Sequence, residues 1–284
     1  METMKERAFF PPQTLQINGR LLPLDKPRIM GILNITPDSF YSGSRFSATD
    51  DALRQAEQML SEGADFLDVG GYSTRPGATE VTENEEINRI RPIVAALARR
   101  FPQAVISVDT FRASVAKVAV SEGAHIINDV SGGQADAAMF ATASALGVPY
   151  VLMHSRGTPQ TMQQLTHYED IFTELMFFFQ ERILQLQQLG CRDIIIDPGF
   201  GFAKTIEQNY ALLKNLSVFH QLEKPLLAGI SRKSMIWKKL GTSPEEALNG
   251  TTALNTVVLL QGAQILRVHD VKPAAEIIHL LSNS

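Results

Sequence analysis

Cysteine is almost absent from this chain. Cys191 is the only one, which excludes an internal disulfide framework and a multi-cysteine zinc site. It is expected to be a small filler beside a strand. Long apolar runs are also missing. The richest stretches, Leu175–Phe179 and Val257–Leu260, fall far short of the roughly 18 residues of a membrane span. The opening residues, Met1 to Pro12, mix charges before Phe9-Phe10-Pro11-Pro12 and lack the apolar core of a secretory signal. A cytoplasmic protein without a membrane partner is expected. Excess charge is lacking too: 26 Lys+Arg stand against 30 Asp+Glu, a net −4. That balance offers no footprint for nonspecific binding to nucleic acid. No low-complexity linker, charge block or proline-rich seam divides the 284 residues. Length alone would allow two domains, but one domain over residues 1–284 is the simpler reading. With 44% hydrophobic residues, the chain has ample material for a core.

What is present is a rhythm. Residues 14–24 read as a hairpin, because Asn18-Gly19 favours the type I′ turn that matches strand twist. Short apolar runs then alternate with amphipathic stretches, as in βα units. The strand candidates are Arg28–Leu33, Asp65–Val69, Val105–Val108, His125–Asn128, Tyr150–Met153, Ile194–Ile196, Pro225–Ala228 and Ile265–Val268. The helix candidates are Asp50–Glu62, Glu83–Arg100, Arg112–Glu122, Asp136–Leu146, Tyr168–Leu189, Ile206–Asn215, Pro244–Gln261 and Pro273–Leu281. Ser-Glu-Gly-Ala occurs at Ser61–Ala64 and Ser121–Ala124, each placing a helix-ending glycine before a strand. Eight such units without a seam indicate an α/β fold, a single (β/α)8 TIM barrel with the hairpin plugging one end. The alternative, a doubly wound sheet, normally has a glycine-rich phosphate turn after its first strand. Asn34-Ile35-Thr36-Pro37-Asp38 stands there instead.

A barrel gathers its chemistry at the C-terminal strand ends. In order these are Asn34, Asp68, Asp109, Asn128-Asp129, Met153-His154, Asp197, Gly229–Ser234 and Arg267–Asp270. One terminal Asp could simply cap the next helix, and Asp109 or Asp129 alone would be read so. Polar groups at nearly all eight ends point to an enzyme or a ligand binder. Carboxylates and an amide suit a flat heterocycle with an N–C–N edge, since a carboxylate accepts two N–H bonds side by side. Lys233, Arg267, His269 and Arg75 add positive charge suited to a phosphate or diphosphate. Ser231–Ser234 is expected to open a helix whose N–H groups could hold an anion.

At these residues the chain resembles the dihydropteroate synthases. The resemblance runs in order from about Ile29 to Val271. It is carried by Met30–Phe40, Gly71–Ala78, Ser107–Thr110, Ile127–Gly132, Met153-His154 before Gly157-Thr158-Pro159, Asp197–Phe202, Gly229–Ser234 and Arg267–Asp270. It implies a transferase of folate biosynthesis and a sulfonamide target. The reaction would condense 6-hydroxymethyl-7,8-dihydropterin diphosphate with p-aminobenzoate, releasing diphosphate. Asp109, Asp197 and Lys233 would be catalytic, and with Asn128, Met153, Phe202 and Gly229 would hold the pterin. Asn34, Arg267 and His269 would hold the diphosphate, with Asn34 reaching its Mg²⁺. Phe40, Thr74, Arg75, Pro76 and Ser234 would form the p-aminobenzoate pocket. A homodimer is implied through the last helices. Three positions depart from the family pattern: Tyr72 where an acidic residue is common, Ser155 where a longer apolar one is usual, and Ala203 in place of Gly.

Two other functions share parts of this signature. A pterin-dependent methyltransferase needs the pterin-gripping Asp and Asn but not Thr74-Arg75-Pro76 or Arg267-Val268-His269. A non-catalytic paralogue would have lost part of a loop or of the anion site. His125 is expected to be structural at the far barrel end, and His167, His220 and His279 to lie on the surface. His154 is open between ring packing and support of the site. The Phe177–Phe179 cluster reads as core or subunit interface.

Overall fold

The computed structural model describes residues 13–35, 45–72 and 81–282. Strands β1 (Thr14–Ile17) and β2 (Arg20–Pro23) form the hairpin, in register from Thr14 opposite Pro23 to Ile17 opposite Arg20. Asn18 and Gly19 take φ of 50° and 73°, the two positive values a type I′ turn requires. Seven of the following units then pair strand with helix in order: β3 (Arg28–Asn34), α1 (Arg45–Ser61), β4 (Phe66–Gly70), α2 (Glu83–Arg100), β5 (Val105–Asp109), α3 (Ala113–Ser121), β6 (Ile126–Asp129), α4 (Met139–Leu146), β7 (Tyr150–Met153), α5 (Ile171–Gln188), β8 (Ile194–Asp197), α6 (Ile206–Lys214) and, after α7 and α8 below, β10 (Ile265–Val268) with α9 (Val271–Ser282). The remaining unit has the two-residue strand β9 (Leu227–Ala228) followed by α7 (Ser234–Leu240) and α8 (Leu248–Leu260).

The strands run β8-β7-β6-β5-β4-β3-β10-β9, all parallel. A parallel bridge from Ile196 to Leu226, with the Ile196 amide donating to Pro225 O at 2.9 Å, joins β8 to the approach to β9. That bridge closes the barrel. One large core lies between strands and helices. A second buries Leu15, Ile17 and Leu24 of the hairpin segment against Met30, Phe66, Ile126, Val151, Ile195, Leu227 and Ile265. These barrel residues lie toward the N-terminal halves of their strands, so the hairpin plugs the end opposite the strand termini.

Local signals explain the element limits. Thr82 caps α2, acidic residues fill its first turn and Arg99-Arg100 its last, an arrangement that complements the helix dipole. Thr205 and Gln208 form a capping box at α6. Gly63 and Gly123, the glycines of the two Ser-Glu-Gly-Ala copies, have φ of 105° and 113°, where an L side chain would be strained. Cys191 is buried, with its thiol pushed up to about 11 by burial. One expectation is corrected. His220 is buried, not a surface residue: Nε2 lies 3.1 Å from Gln261 O, and Gly262 packs directly on the ring.

Candidate active site

Neighbouring strand ends form the first half of the site. The register sets Asn34 beside Gly70, Gly70 beside Asp109, and Asp109 beside Asn128. Two residues earlier on β4, Asp68 points into the barrel and is fully buried. Arg267, from the far side of β3, joins them: Nε donates to Asp68 Oδ2 at 2.7 Å and Nη2 to Asp109 Oδ2 at 2.6 Å. Asn128 Nδ2 also donates to Asp68 Oδ2, at 2.9 Å. Two carboxylates thus share one guanidinium. Burial pushes Asp109 up to about 7, opposed by Arg267 and reinforced by Asp68. Asp68 Oδ1 and Ser107 Oγ are buried without a hydrogen-bond partner among the described residues, so the floor keeps unused polar capacity.

Asp197, Lys233 and the loop after β8 form the second half. Asp197 is 5% exposed and accepts from the Gly199 amide at 2.7 Å. Burial raises its pKa, opposed by Lys233, the Gly199 amide, Arg267 and Lys204. Lys233 donates to Phe200 O, and its Nζ sits 4.7 Å from the Phe202 ring centre. Burial draws Lys233 down to about 8, with Asp197 opposing. The loop is tightly built. A Cβ at Gly199, where φ is 70°, would meet His154 O at 2.0 Å. Met153, in register with Asp197, is buried beside it. A Cβ at Gly229 would make only ordinary contact, 3.6 Å from Arg267.

His269 lies beside Ser231, with its amide and Nδ1 3.1 and 3.0 Å from Ser231 Oγ. Arg232 holds Asp270 through two 2.8 Å bonds, so Asp270 fixes the strand-end loops. Ser234 opens α7, a helix of only seven residues capped by Lys233. Asp129 accepts from Tyr150 Oη, from Ser131 N and Oγ, and from Gly133 N, which makes it a turn former. Phe40, Thr74, Arg75 and Pro76 lie outside the described residues. The residues flanking 73–80 are nevertheless anchored: Arg89 donates to Gly71 O at 3.0 Å and Arg112 to Val81 O at 2.7 Å. Arg112 also pairs with buried Glu86 and lies against Tyr72, whose ring meets Phe111 edge-on. Tyr72 therefore has an aromatic and cationic seat rather than an acidic role.

No cluster of three or more His, Cys, Asp or Glu suited to a metal occurs among the described residues. A Cβ at Gly70 would lie 3.7 Å from both Asn34 Oδ1 and Asp109 Oδ2, so the bare glycine opens a cradle between two oxygen donors. A single hard amide oxygen there fits an Mg²⁺ that keeps most of its phosphate and water ligands.

The pterin binding enzyme family model matches residues 30–269. The dihydropteroate synthase of Escherichia coli K12 is 44% identical over 93% of both chains, and that of Haemophilus influenzae is 42% identical over 93% of this chain and 96% of its own. The chain belongs to the dihydropteroate synthase family of pterin-binding enzymes. It is a transferase of folate biosynthesis. Among solved structures, Yersinia pestis dihydropteroate synthase with a sulfonamide drug superposes with a TM-score of 0.89 at 43% identity, covering 95% of this chain and 98% of its own. The Xanthomonas albilineans enzyme with 4-aminobenzoic acid gives 0.89 at 38% identity, covering 96% and 98%.

Sequence reasoning placed Asp68 at a strand end but gave it no role, and passed over Lys204 and Glu86. Asp68 carried a usable signal: it lies two residues before the Gly70-Gly71 turn of a fully buried strand, where a carboxylate requires a partner. Lys204 offered none, because its partners come from His154 after β7 as well as from its own loop.

Proposed function

We propose that this dihydropteroate synthase condenses 6-hydroxymethyl-7,8-dihydropterin diphosphate with p-aminobenzoate within a single pterin-binding domain, by departure of diphosphate followed by attack of the aromatic amine. The observation that carries this reading is the convergence of half-buried Asp109 and buried Asn128 and Asp197 with Lys233 and Arg267 at one barrel mouth. The carboxylates and Asn128 suit the N–H-rich edge of the pterin, with Lys233 toward its carbonyl and Met153 and Phe202 against its ring. Gly229 leaves the approach open. Arg267 has Nε and Nη2 engaged by Asp68 and Asp109, which leaves Nη1 for the diphosphate beside His269. Asn34 would hold a diphosphate-borne Mg²⁺, whose charge would stabilise the leaving group.

Asp109 and Asp197 carry the chemical step. Their fixed negative charge faces the ring on which positive charge develops as the C–O bond breaks, so it counts most in the transition state. Phe40, Thr74, Arg75, Pro76 and Ser234 form the p-aminobenzoate pocket in this reading, which is also where a sulfonamide would compete. The enzyme acts in the cytoplasm as a homodimer. An uncharged α8, with Leu248 and Leu260 exposed, is consistent with contact through the last helices. The test is mass spectrometry of purified protein with both substrates and Mg²⁺, omitting one component at a time. Dihydropteroate formed only in the complete mixture is expected. Pterin binding without product overturns the reading.

A further inference from the structure

Lys204 is a buried cation outside the residues assigned so far. It is 4% exposed, yet among the described residues no carboxylate lies within salt-bridge distance of its ammonium. Nζ instead has three partners: His154 Nδ1 at 3.0 Å, Gly199 O at 3.1 Å and Phe202 O at 3.1 Å. Three donors meet three acceptors, which exhausts the hydrogen-bonding capacity of an ammonium. An ammonium buried without an ion pair is costly, and an apolar side chain would fill the space without that cost.

The two carbonyls bracket the turn that follows Asp197. Phe200 O within it accepts Lys233 Nζ, and Phe202 at its end sets its ring by the same ammonium. The third partner belongs to another strand end: His154 follows β7 and is wedged edge-on against Phe178 at 4.7 Å. Lys204 therefore ties the turn to β7. Asn209, accepting from Gly201 N at 2.7 Å, and Tyr168, donating to Ala203 O at 2.9 Å, hold the same loop from outside. The charge has a second consequence. Gly199 links the two groups, donating its amide to Asp197 Oδ1 at 2.7 Å and accepting from Lys204 Nζ at 3.1 Å through its carbonyl. Lys233, Arg267 and Lys204 together oppose the rise that burial causes in Asp197. Burial draws Lys204 itself well below the usual lysine range, opposed by Asp197 and reinforced by Lys233 and Arg156, while the imidazole of His154 and the two loop carbonyls favour the ammonium. Burial and these cations keep that imidazole neutral, so it can accept from the ammonium.

We infer that Lys204 is a positioning residue for pterin binding, fixing the turn that seats Lys233 and supplying positive charge behind Asp197. The inference rests on the reading that Asp197 and Lys233 grip the pterin. Its role is to preorganise, not to touch substrate, so losing it should weaken pterin use while sparing the p-aminobenzoate side.

Two variants of the full chain separate the parts. Lys204→Met removes both donors and charge, whereas Lys204→Gln removes the charge but keeps an amide with two N–H, on a side chain one bond shorter, for the loop carbonyls. In Lys204→Met, kcat/KM for the pterin diphosphate is expected to fall about 10- to 100-fold, with KM for p-aminobenzoate changed by less than about twofold. Both variants should move the acid limb of the pterin kcat/KM profile upward, because Asp197, which with Asp109 must be ionised for the pterin to bind, becomes easier to protonate. A purely structural lysine would lower the melting temperature or the active fraction and leave that limb in place. An unmoved limb with wild-type pterin kcat/KM per active site overturns the inference, and Lys204→Gln decides the charge effect even if Lys204→Met does not fold. Asp197→Asn is the parallel control. If it leaves pterin KM and turnover intact, the underlying reading fails; if it abolishes them while both Lys204 variants behave as wild type, only the inference does.

Discussion

Burial sets the protonation of the groups that face each other across the site. Asp109 is pushed up to about 7 and Lys233 down to about 8. The pterin edge donates N–H bonds, so it selects ionised Asp109; its carbonyl accepts, so it selects protonated Lys233. Below pH 7 the carboxylate must lose a proton before it can bind, and above pH 8 the amine has already lost one. The pH profile of kcat/KM, which reports the free enzyme, should therefore be a narrow bell with limbs near these two values. Asp109→Asn should keep the fold, lose at least about 100-fold in kcat and leave an acid limb set by Asp197 alone, which burial also raises. Near-normal turnover in that variant would remove Asp109 from the mechanism. Ala203 provides a different residue-scale test. Its φ of 48° and complete burial place an L side chain in the left-handed region at about 1–2 kcal/mol of strain. Ala203→Gly should stabilise the protein by up to about 1 kcal/mol after the added unfolded-state entropy of glycine. A lower denaturation midpoint in urea would refute this account.

Elements were legible where periodicity and punctuation agreed. α2 matched residue for residue because Thr82, the acidic first turn and the paired arginines mark both ends. β7 and β10 also matched. α1 begins at Arg45, five residues before its expected start, because Arg45–Thr49 carry no apolar period to mark a helix. The stretch after Pro244 enters α8 only at Leu248, since a short turn precedes it. α7 was expected only as a helix opening at Ser231–Ser234, without an end, because its seven residues are too few to show a period. At the site, the polar groups at the strand ends were readable from the alternation of strands and helices, whereas their roles came from the family resemblance. The sharing of Arg267 between Asp68 and Asp109 was not readable, because it joins residues as much as 199 apart, on strands brought together only in the folded sheet. The hairpin supplies the element-scale prediction. Leu15 is 1% exposed against the barrel floor, so Leu15→Ala should cost about 3 kcal/mol. The mouth lies at the opposite end, and kcat should stay within about twofold of wild type well below the melting temperature. A large kcat loss in a variant still fully folded at the assay temperature would show that the plug is coupled to the site.

The barrel is not uniformly closed around its circumference. β3, β4 and β5 are joined by five-residue registers, whereas β9 contributes two residues and meets the β8 side through the single Ile196–Leu226 bridge. Leu226 adds bonds only toward β10, accepting from Gln264 N at 2.9 Å and Ile265 N at 3.1 Å. With so few ladder bonds, this seam should open locally at lower free energy than the opposite wall. The site straddles the seam: Asp197 ends β8 on one side, and Lys233 follows β9 on the other. A pterin held by both residues would tie the two sides together, and ligand binding stabilises the closed form by mass action. Hydrogen exchange followed by mass spectrometry should therefore show the Leu226–Ala228 amides exchanging faster than those of β4 and β5 in the free enzyme. Saturating pterin should slow the seam at least about tenfold and leave β4 and β5 changed by less than about twofold. Equal protection of both walls would mean that the ligand stabilises the barrel globally, and that the short strand is no weaker than its neighbours.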